Sequence, residues 1–253
     1  MNGFEKRRVS AIILAAGKGK RMGADVAKVL HPLCGRPMLT YAVDAAKAVN
    51  VEKIVVIIGH QAGLVRKAFE DQGLIFVEQL EQLGTGHAVL QARDVFHGYD
   101  GTILILCGDV PMLSPLTIRT LIEAHILEKS TVTVLTTILD DPFGYGRVVK
   151  ERKENGILRI VEEKDASLDE KKIKEINTGI YCVESNFLFR AVGDIGNDNV
   201  QKEYYLTDIV GIASRRGLKT RSFITANSLE VMGINTPDDL EKASEHIAIC
   251  ERK

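Results

Sequence analysis

Apolar positions in this chain follow two rhythms. Through the first half, short unbroken β-branched runs alternate with longer runs in which apolar residues recur every three or four positions. Val9 to Leu14, Lys53 to Ile58, Leu74 to Val77 and Thr102 to Leu106 are predicted strands. Between them, helices are predicted from Pro37 to Val49, from about Ala62 to Asp71 and from near Gly86. Pro37 suits the first helical position, where no N–H is needed. Ser114-Pro115 reads as an N-cap and first helical residue of a helix reaching about Glu128, and Thr131 to Ile138 reads as a further strand. Strands apolar on both faces, alternating with helices, imply a Rossmann-like, doubly wound α/β fold with a mostly parallel sheet.

The rhythm changes after Asp140. Gly144, Gly146 and Asn155-Gly156 punctuate short runs, and Asn-Gly is a strong hairpin signal. Glu162 to Glu175 is densely charged and reads as a solvated loop or helix. Ile176 to Val183 returns to strand character, Leu206 to Arg215 is helical, and Leu218 to Phe223 is a late strand. Thr236-Pro237-Asp238-Asp239 opens a final helix, with Thr236 as cap and acids at the positive helix end. No linker-like stretch divides the chain. One domain is expected: a first part over about 1–139, a small inserted lobe over about 140–235, and a terminal helix over 236–253.

Composition narrows the function. Of 253 residues, 45% are hydrophobic and 26% charged, enough apolar material for a sizeable core. With 33 Lys+Arg against 34 Asp+Glu, no charge excess exists to drive counterion release, which argues against a general nucleic-acid binder. No apolar run approaches the ~20 residues that cross a bilayer. The run after the basic start breaks at Gly17 and lacks a cleavage-site pattern, so it reads as a buried strand and not a signal peptide. Cys34, Cys107, Cys182 and Cys250 are far apart, without zinc-site or disulfide-framework spacing, and a cytoplasmic setting is expected.

Four segments could carry chemistry. Leu14-Ala15-Ala16-Gly17-Lys18-Gly19-Lys20-Arg21-Met22 follows a strand and is rich in small residues and cations. Small residues let the backbone N–H groups approach a phosphate; the alternative is a tight turn with solvated cations. The segment is not a Walker A loop, and Met22 stands where the dinucleotide fingerprint requires a third Gly, which disfavours a redox enzyme. Lys28 can reach phosphates from just beyond this loop, or be solvated. In Gln79 to Ala88, the Gly84-Thr85-Gly86 turn leaves backbone open to a flat ligand and Gln79 can match a base edge; otherwise Thr85 caps a helix and His87 packs at its start. Gly108-Asp109 follows a buried strand, where open α/β sheets bind ligands and where a hard carboxylate suits Mg²⁺; otherwise Asp109 closes a turn before Pro111.

Taken in order, these segments resemble the sugar-phosphate nucleotidylyltransferases, and among them the uridylyltransferase domains that act on N-acetylglucosamine 1-phosphate. Leu14 to Gly17, Glu81 to Ala88, Gly108 to Pro111, Asp141 to Arg147, Glu175 to Gly179 and Glu203 to Asp208 recur in register, so the resemblance runs from about Val9 to Leu240. It implies uridylyl transfer from UTP to N-acetylglucosamine 1-phosphate, giving pyrophosphate and UDP-N-acetylglucosamine, a peptidoglycan precursor. It assigns Leu14, Ala15, Ala16, Gly17, Lys28 and Gly108 to the nucleotide, with Gln79, Gly84 and Thr85 on the uracil. Arg21 would act on the pyrophosphate end and, with Lys28 and Asp109, carry catalysis. Asp109 and Asn235 would hold Mg²⁺. Gly146, Glu162, Asn177, Tyr205 and Thr207 would hold the sugar, which makes 1–139 the nucleotide part and 140–235 the sugar lobe.

Two residues depart from the family pattern. Ala27 stands where Pro is usual, which loosens the backbone ahead of Lys28, and Cys107 stands where a Tyr or another larger residue is expected. Bifunctional members continue into a hexapeptide-repeat β-helix carrying acetyltransferase activity; no such repeat occurs here, so no acetyl-coenzyme A-dependent activity is expected. The rival readings are another pair, such as UTP or dTTP with glucose 1-phosphate, and a nucleotide-sugar sensor without turnover.

Overall fold

A computed structural model describes residues 7–19, 22, 26–151 and 156–250. Nine strands form one sheet: β1 (Val9–Ala15), β2 (Ile54–Ile58), β3 (Ile75–Glu78), β4 (Thr102–Cys107), β5 (Val132–Ile138), β6 (Arg147–Lys150), β7 (Ile157–Val161), β8 (Glu175–Glu184) and β9 (Thr220–Ile224). The main path runs β9-β5-β8-β4-β1-β2-β3, with the hairpin β6–β7 attached to β8. Every strand on that path is parallel except β8, which runs antiparallel to both β4 and β5. The fold is therefore the mostly parallel, Rossmann-like arrangement that the pattern predicts.

Period-two alternation feeds two cores. In β4, Leu104 and Leu106 face one layer, with Leu39 and Val43 of α1 (Met38–Ala48) and Ile118 and Leu121 of α4 (Pro115–Leu127). Ile103 and Ile105 face the other, with Val89 of α3 (Thr85–Gln91), Leu188 of α5 (Ser185–Ala191) and Val210 of α6 (Asp208–Arg215). Ser114 caps α4 as expected, its hydroxyl accepting from the Thr117 N–H at 3.1 Å.

Some boundaries differ for local reasons. The helix after β2, α2 (Ala62–Ala68), ends early and gives way to a 3₁₀ turn closed by Gly73 at φ 68°. Pro32–Leu33 and Arg36–Pro37 pair as a small ribbon, so Pro37 precedes α1 instead of starting it. Helix α5 is not foreseen: it spans seven residues and has no side-chain cap to announce it. The antiparallel β6–β7 pair confirms the hairpin, although Asn155 lies outside the described residues.

Register places the site. Leu14 pairs with Cys107 and Ala15 with Ile58, so β1, β2 and β4 end level and their following loops share one edge. The last helix, α7 (Pro237–Cys250), docks beside that edge through Ala243, which shares a small core with Met22, Leu33, Met38 and Ile234. Its start is a reciprocal cap. The Thr236 hydroxyl accepts from the Asp239 N–H at 3.2 Å, and Asp239 Oδ2 accepts from the Asn235 and Thr236 N–H groups, both at 2.9 Å. Partial burial works to raise the Asp239 pKa, but these hydrogen bonds outweigh it and leave the carboxyl below its ordinary 3.8. A lowered carboxylate stabilises the fold above its ordinary range and loses that contribution as pH falls through its folded value. Asp239→Ala should accordingly cost ~0.5–2 kcal/mol at pH 7. Melting curves should show the gap from the parent chain narrowing in acid below 3.8; a gap independent of pH would remove the charged cap from the account.

Candidate active site

A cavity of about 430 Å³ opens where β1, β3 and β4 end. Leu14, Ala15, Ala16 and Gly17 form one wall, Gln79, Gly84 and Thr85 another, and Lys28, Asp109 and Asn235 stand together in it. Arg21, expected at the pyrophosphate end, lies outside the described residues. Gly108 supports the wall from behind: its N–H donates to the Leu14 carbonyl at 2.9 Å, and a Cβ there would lie 3.2 Å from both Leu39 and Val29.

Lys28 is 9% exposed, and its ammonium joins residues far apart in sequence. It pairs with the Asp109 carboxylate and donates to Asn235 Oδ1 at 2.9 Å. Three bonds hold Asn235 in place. The Ile234 N–H donates to the Asp109 carbonyl at 2.8 Å, Asp239 takes the Asn235 N–H, and Asn235 Nδ2 donates to the Gly233 carbonyl at 3.1 Å. The last of these turns the amide oxygen toward Lys28. Gly19 makes room for the lysine stem: at φ 58°, a Cβ on it would stand 2.6 Å from Lys28 Cβ. Ala27 does not loosen the approach. Its φ of −51° is within proline's range, and its N–H, which a proline would lack, donates to Gln61 Oε1.

The donor set fits Mg²⁺. Asp109 and Asn235 offer two hard oxygens that already hold a cationic group. Among the described residues, no group of three or more His, Cys, Asp or Glu could hold a metal ion. A magnesium ion placed there would find two oxygens from the chain, and its other positions would be open to phosphate oxygens and water.

Gln79 lines the cavity, yet its amide also builds the loop. Nε2 donates to the Gly84 carbonyl and contacts His87 Nδ1, each at 3.0 Å. His87 is thereby a packing residue at the start of α3. Cys107 borders the cavity with its thiol on the Gly179 carbonyl at 3.4 Å. Burial pushes that thiol well up from its ordinary range, the Asp109 charge adds to this, and the nearby Lys28 charge opposes it. Gly179 sits in the irregular stretch of β8 at φ 80°, where a Cβ would come 2.8 Å from the sulfur.

The structure draws the residues expected at the sugar together only in part. The Asn177 N–H donates to the Gly146 carbonyl at 2.8 Å, and the Thr207 hydroxyl donates to Glu162 Oε1 at 3.1 Å. Glu162 has its pKa raised by burial, which the Thr207 hydrogen bond opposes and the Asp165, Asp208 and Glu203 charges reinforce. Glu162 and Tyr205 border a second cavity of about 300 Å³, while Gly146, Asn177 and Thr207 line neither. The Tyr205 hydroxyl is taken by Gln201 at 2.8 Å and Asp165 at 3.3 Å, and burial, opposed by the Gln201 bond, pushes it up to about 12. Glu163, in the stretch read as solvated, instead pairs with the buried Arg147 at 2.6 Å. Sequence reasoning passed over Lys18, Gly19, Gln82 and Glu203 as lining residues. All four lie in the quoted motifs, but nothing in their spacing separates them from turn residues.

With this geometry in view, comparison with known proteins is decisive. Residues 11–152 match the MobA-like NTP transferase domain. The chain belongs to that NTP transferase family. The matched residues include the 14–17 wall, Lys28, Gln79 to Thr85, Asp109 and Gly146; Glu162, Asn177 and Asn235 lie beyond them. The chain is 48% identical over 243 residues to the bifunctional protein GlmU of Geotalea daltonii, covering 96% of this chain and 53% of that protein. It is 44% identical over 239 residues to the bifunctional protein GlmU of Desulfotalea psychrophila, covering 94% and 70%. The chain spans about half the length of most of the curated GlmU relatives it matches. A UDP-glucose pyrophosphorylase solved with UDP-glucose shares the fold at TM-score 0.76 and 17% identity, over 97% of this chain and 100% of that one. So does a putative glucose-1-phosphate thymidylyltransferase from Bacillus anthracis, at 0.71 and 22%, over 94% of both.

The Gln79 geometry sets one expectation for this NTP transferase. Gln79→Ala removes the brace on Gly84 and, if the sequence expectation holds, an amide on the base. It should raise the nucleotide KM about tenfold and relax discrimination among nucleoside triphosphates, since each lost hydrogen bond is worth ~0.5–1.5 kcal/mol. Initial rates with four nucleoside triphosphates check this, and an unchanged preference would take Gln79 out of base recognition.

Proposed function

We propose that this chain transfers a uridylyl group from UTP to N-acetylglucosamine 1-phosphate, giving UDP-N-acetylglucosamine and pyrophosphate. The reading is carried by one observation: Lys28, Asp109 and Asn235 converge at the end of the small-residue loop, across one cavity from Gln79 and Thr85. The long similarity to GlmU proteins supports it. On this reading 1–139 is the nucleotide part, 140–235 carries the sugar residues, and both substrates come from the cytoplasm.

The reaction needs no protein nucleophile, because a sugar phosphate is already anionic at neutral pH. Its phosphate oxygen attacks the α-phosphorus of UTP, the new P–O bond forms, and the bond from that phosphorus to the β-phosphate oxygen breaks as pyrophosphate leaves. The chain's work is to align two anions that repel each other and to steady the developing charge. The 14–17 backbone receives the triphosphate, Lys28 places a buried positive charge at its α end, and Arg21 is assigned to the leaving pyrophosphate. Gln79, Gly84 and Thr85 hold the base. Gly146, Glu162, Asn177, Tyr205 and Thr207 are assigned to the sugar. Asp109 and Asn235 would hold Mg²⁺, which when bound supplies Lewis-acid neutralisation of phosphate charge.

Pyrophosphate release across a panel of nucleotides and sugar 1-phosphates tests the reading. UTP with N-acetylglucosamine 1-phosphate should turn over fastest; a clear preference for dTTP or for glucose 1-phosphate would replace it. Asp109→Ala should nearly abolish turnover and Asn235→Ala should lower it by ~10²–10³, each with an intact melting transition. Near-normal turnover with an unchanged Mg²⁺ requirement in either variant would remove that residue from the site.

A further inference from the structure

Two segments with different proposed substrates share one set of hydrogen bonds. The loop over 79–86 lies beside the segment over 203–208. The Tyr204 N–H donates to the Leu83 carbonyl and the Gly86 N–H to the Tyr204 carbonyl, both at 2.8 Å. The Leu206 N–H donates to the Thr85 hydroxyl at 3.0 Å. The two backbones touch so closely that side chains are excluded. A Cβ on Gly84, which sits at φ 117°, would stand 2.6 Å from the Tyr204 carbonyl oxygen, and one on Gly86 would stand 3.0 Å from the same oxygen.

The connections continue outward on both sides. On the base side, Gln79 Nε2 donates to the Gly84 carbonyl at 3.0 Å. On the sugar side, Leu206 is 2% exposed and is followed by Thr207, whose hydroxyl donates to the half-buried Glu162. Gly84 is the N-cap of α3 and Thr85 its first helical residue, so the Thr85 hydroxyl is not the cap that the sequence offers as an alternative. Thr85 accepts instead from a residue 121 positions downstream.

We propose that Thr85 is a positioning residue for the sugar phosphate. Its hydroxyl ties the base-side loop to the sugar-side segment, so that a nucleotide bound against residues 79–85 also fixes Tyr205, Thr207 and, through Thr207, Glu162. The naming of the two substrates rests on the proposed function; the tie itself does not. Because coupling of binding free energies is reciprocal, a sugar phosphate bound first should tighten nucleotide binding by the same factor.

The test combines two readouts on the whole chain with Thr85→Ala, and with Thr85→Ser, which keeps the hydroxyl. The first is amide hydrogen exchange without turnover, using UTP as the probe. In the parent chain and Thr85→Ser, UTP should slow exchange over 204–208 as well as over 79–88. In Thr85→Ala the slowing should still reach Tyr204, which keeps its bond to Leu83, but be lost over 206–208, and the Leu206 amide should exchange faster even without UTP. The second readout is kinetic. Thr85→Ala should raise the KM for the sugar phosphate about five- to tenfold, the worth of one lost hydrogen bond, beside whatever change in nucleotide KM its place on the base side brings, and Thr85→Ser should restore the sugar-phosphate KM. Protection by UTP confined to 79–88 in the parent chain would overturn the proposal. So would a Thr85→Ala variant that alters only the nucleotide KM, or a Thr85→Ser variant that behaves like alanine. A parent chain that shows the shared protection but makes no UDP-N-acetylglucosamine would keep the tie and overturn the proposed function instead.

Discussion

Much of the molecule's arrangement follows from one buried ammonium group. A lysine removed from water must be paired, since an isolated buried charge is far costlier than a satisfied one. Lys28 finds its partners in Asp109, just past β4, and Asn235, just before α7. Around that contact the chain is locally specialised. Gly19 yields space to the lysine stem, Ala27 keeps a proline-like backbone, and the Ile234 N–H binds the Asp109 carbonyl. Asp239 caps α7 and in the same stroke fixes the Asn235 backbone. The pair of oxygens that neutralises the lysine is also the pair suited to Mg²⁺, so one arrangement serves the ligand-free chain and the proposed metal-bound state.

The sheet makes this meeting possible. Parallel neighbours with level carboxyl ends bring the loops after β1, β2 and β4 to one edge, which is where open α/β sheets bind ligands. The antiparallel β8, inserted between β4 and β5, brings Gly179 against Cys107 at the same edge. The stitching of 83–86 to 204–206 then joins the two sides of the site. None of these contacts is large alone. Their effect is to make the walls of the cavity depend on one another.

The elements were legible where packing repeats. β1, β2 and β4 are buried, unbroken apolar runs, and Ser114-Pro115 names its own helix start. That residues 14–17 would stand at the ligand-binding edge was legible too, because small residues there directly follow a buried strand, and they line the cavity. What escaped had no periodic signature. Helix α5 is too short to show one, and the ribbon at Pro32–Leu33 and Arg36–Pro37 is set by a turn. The tie between Thr85 and Leu206 depends on how two distant loops dock, which no local spacing encodes. Ala27 reads as a loss against the family pattern, yet the backbone holds the proline conformation and gains a hydrogen bond. The residues expected at the sugar were named by resemblance alone, and the structure joins four of them in two hydrogen-bonded pairs, with Glu162 and Tyr205 on a second cavity.

The central claim is that Asp109 and Asn235 form one cation site, held by the Lys28 ammonium when no metal is bound. Titration of Mn²⁺ into the nucleotide-free chain, read by electron paramagnetic resonance, addresses it directly. Removing the ammonium in Lys28→Met should tighten Mn²⁺ binding, because metal and lysine compete for the same two oxygens, and adding Asp109→Ala to that variant should abolish the gain. An Mn²⁺ affinity unchanged or weakened in Lys28→Met, in a chain that melts as the parent does, would contradict the account.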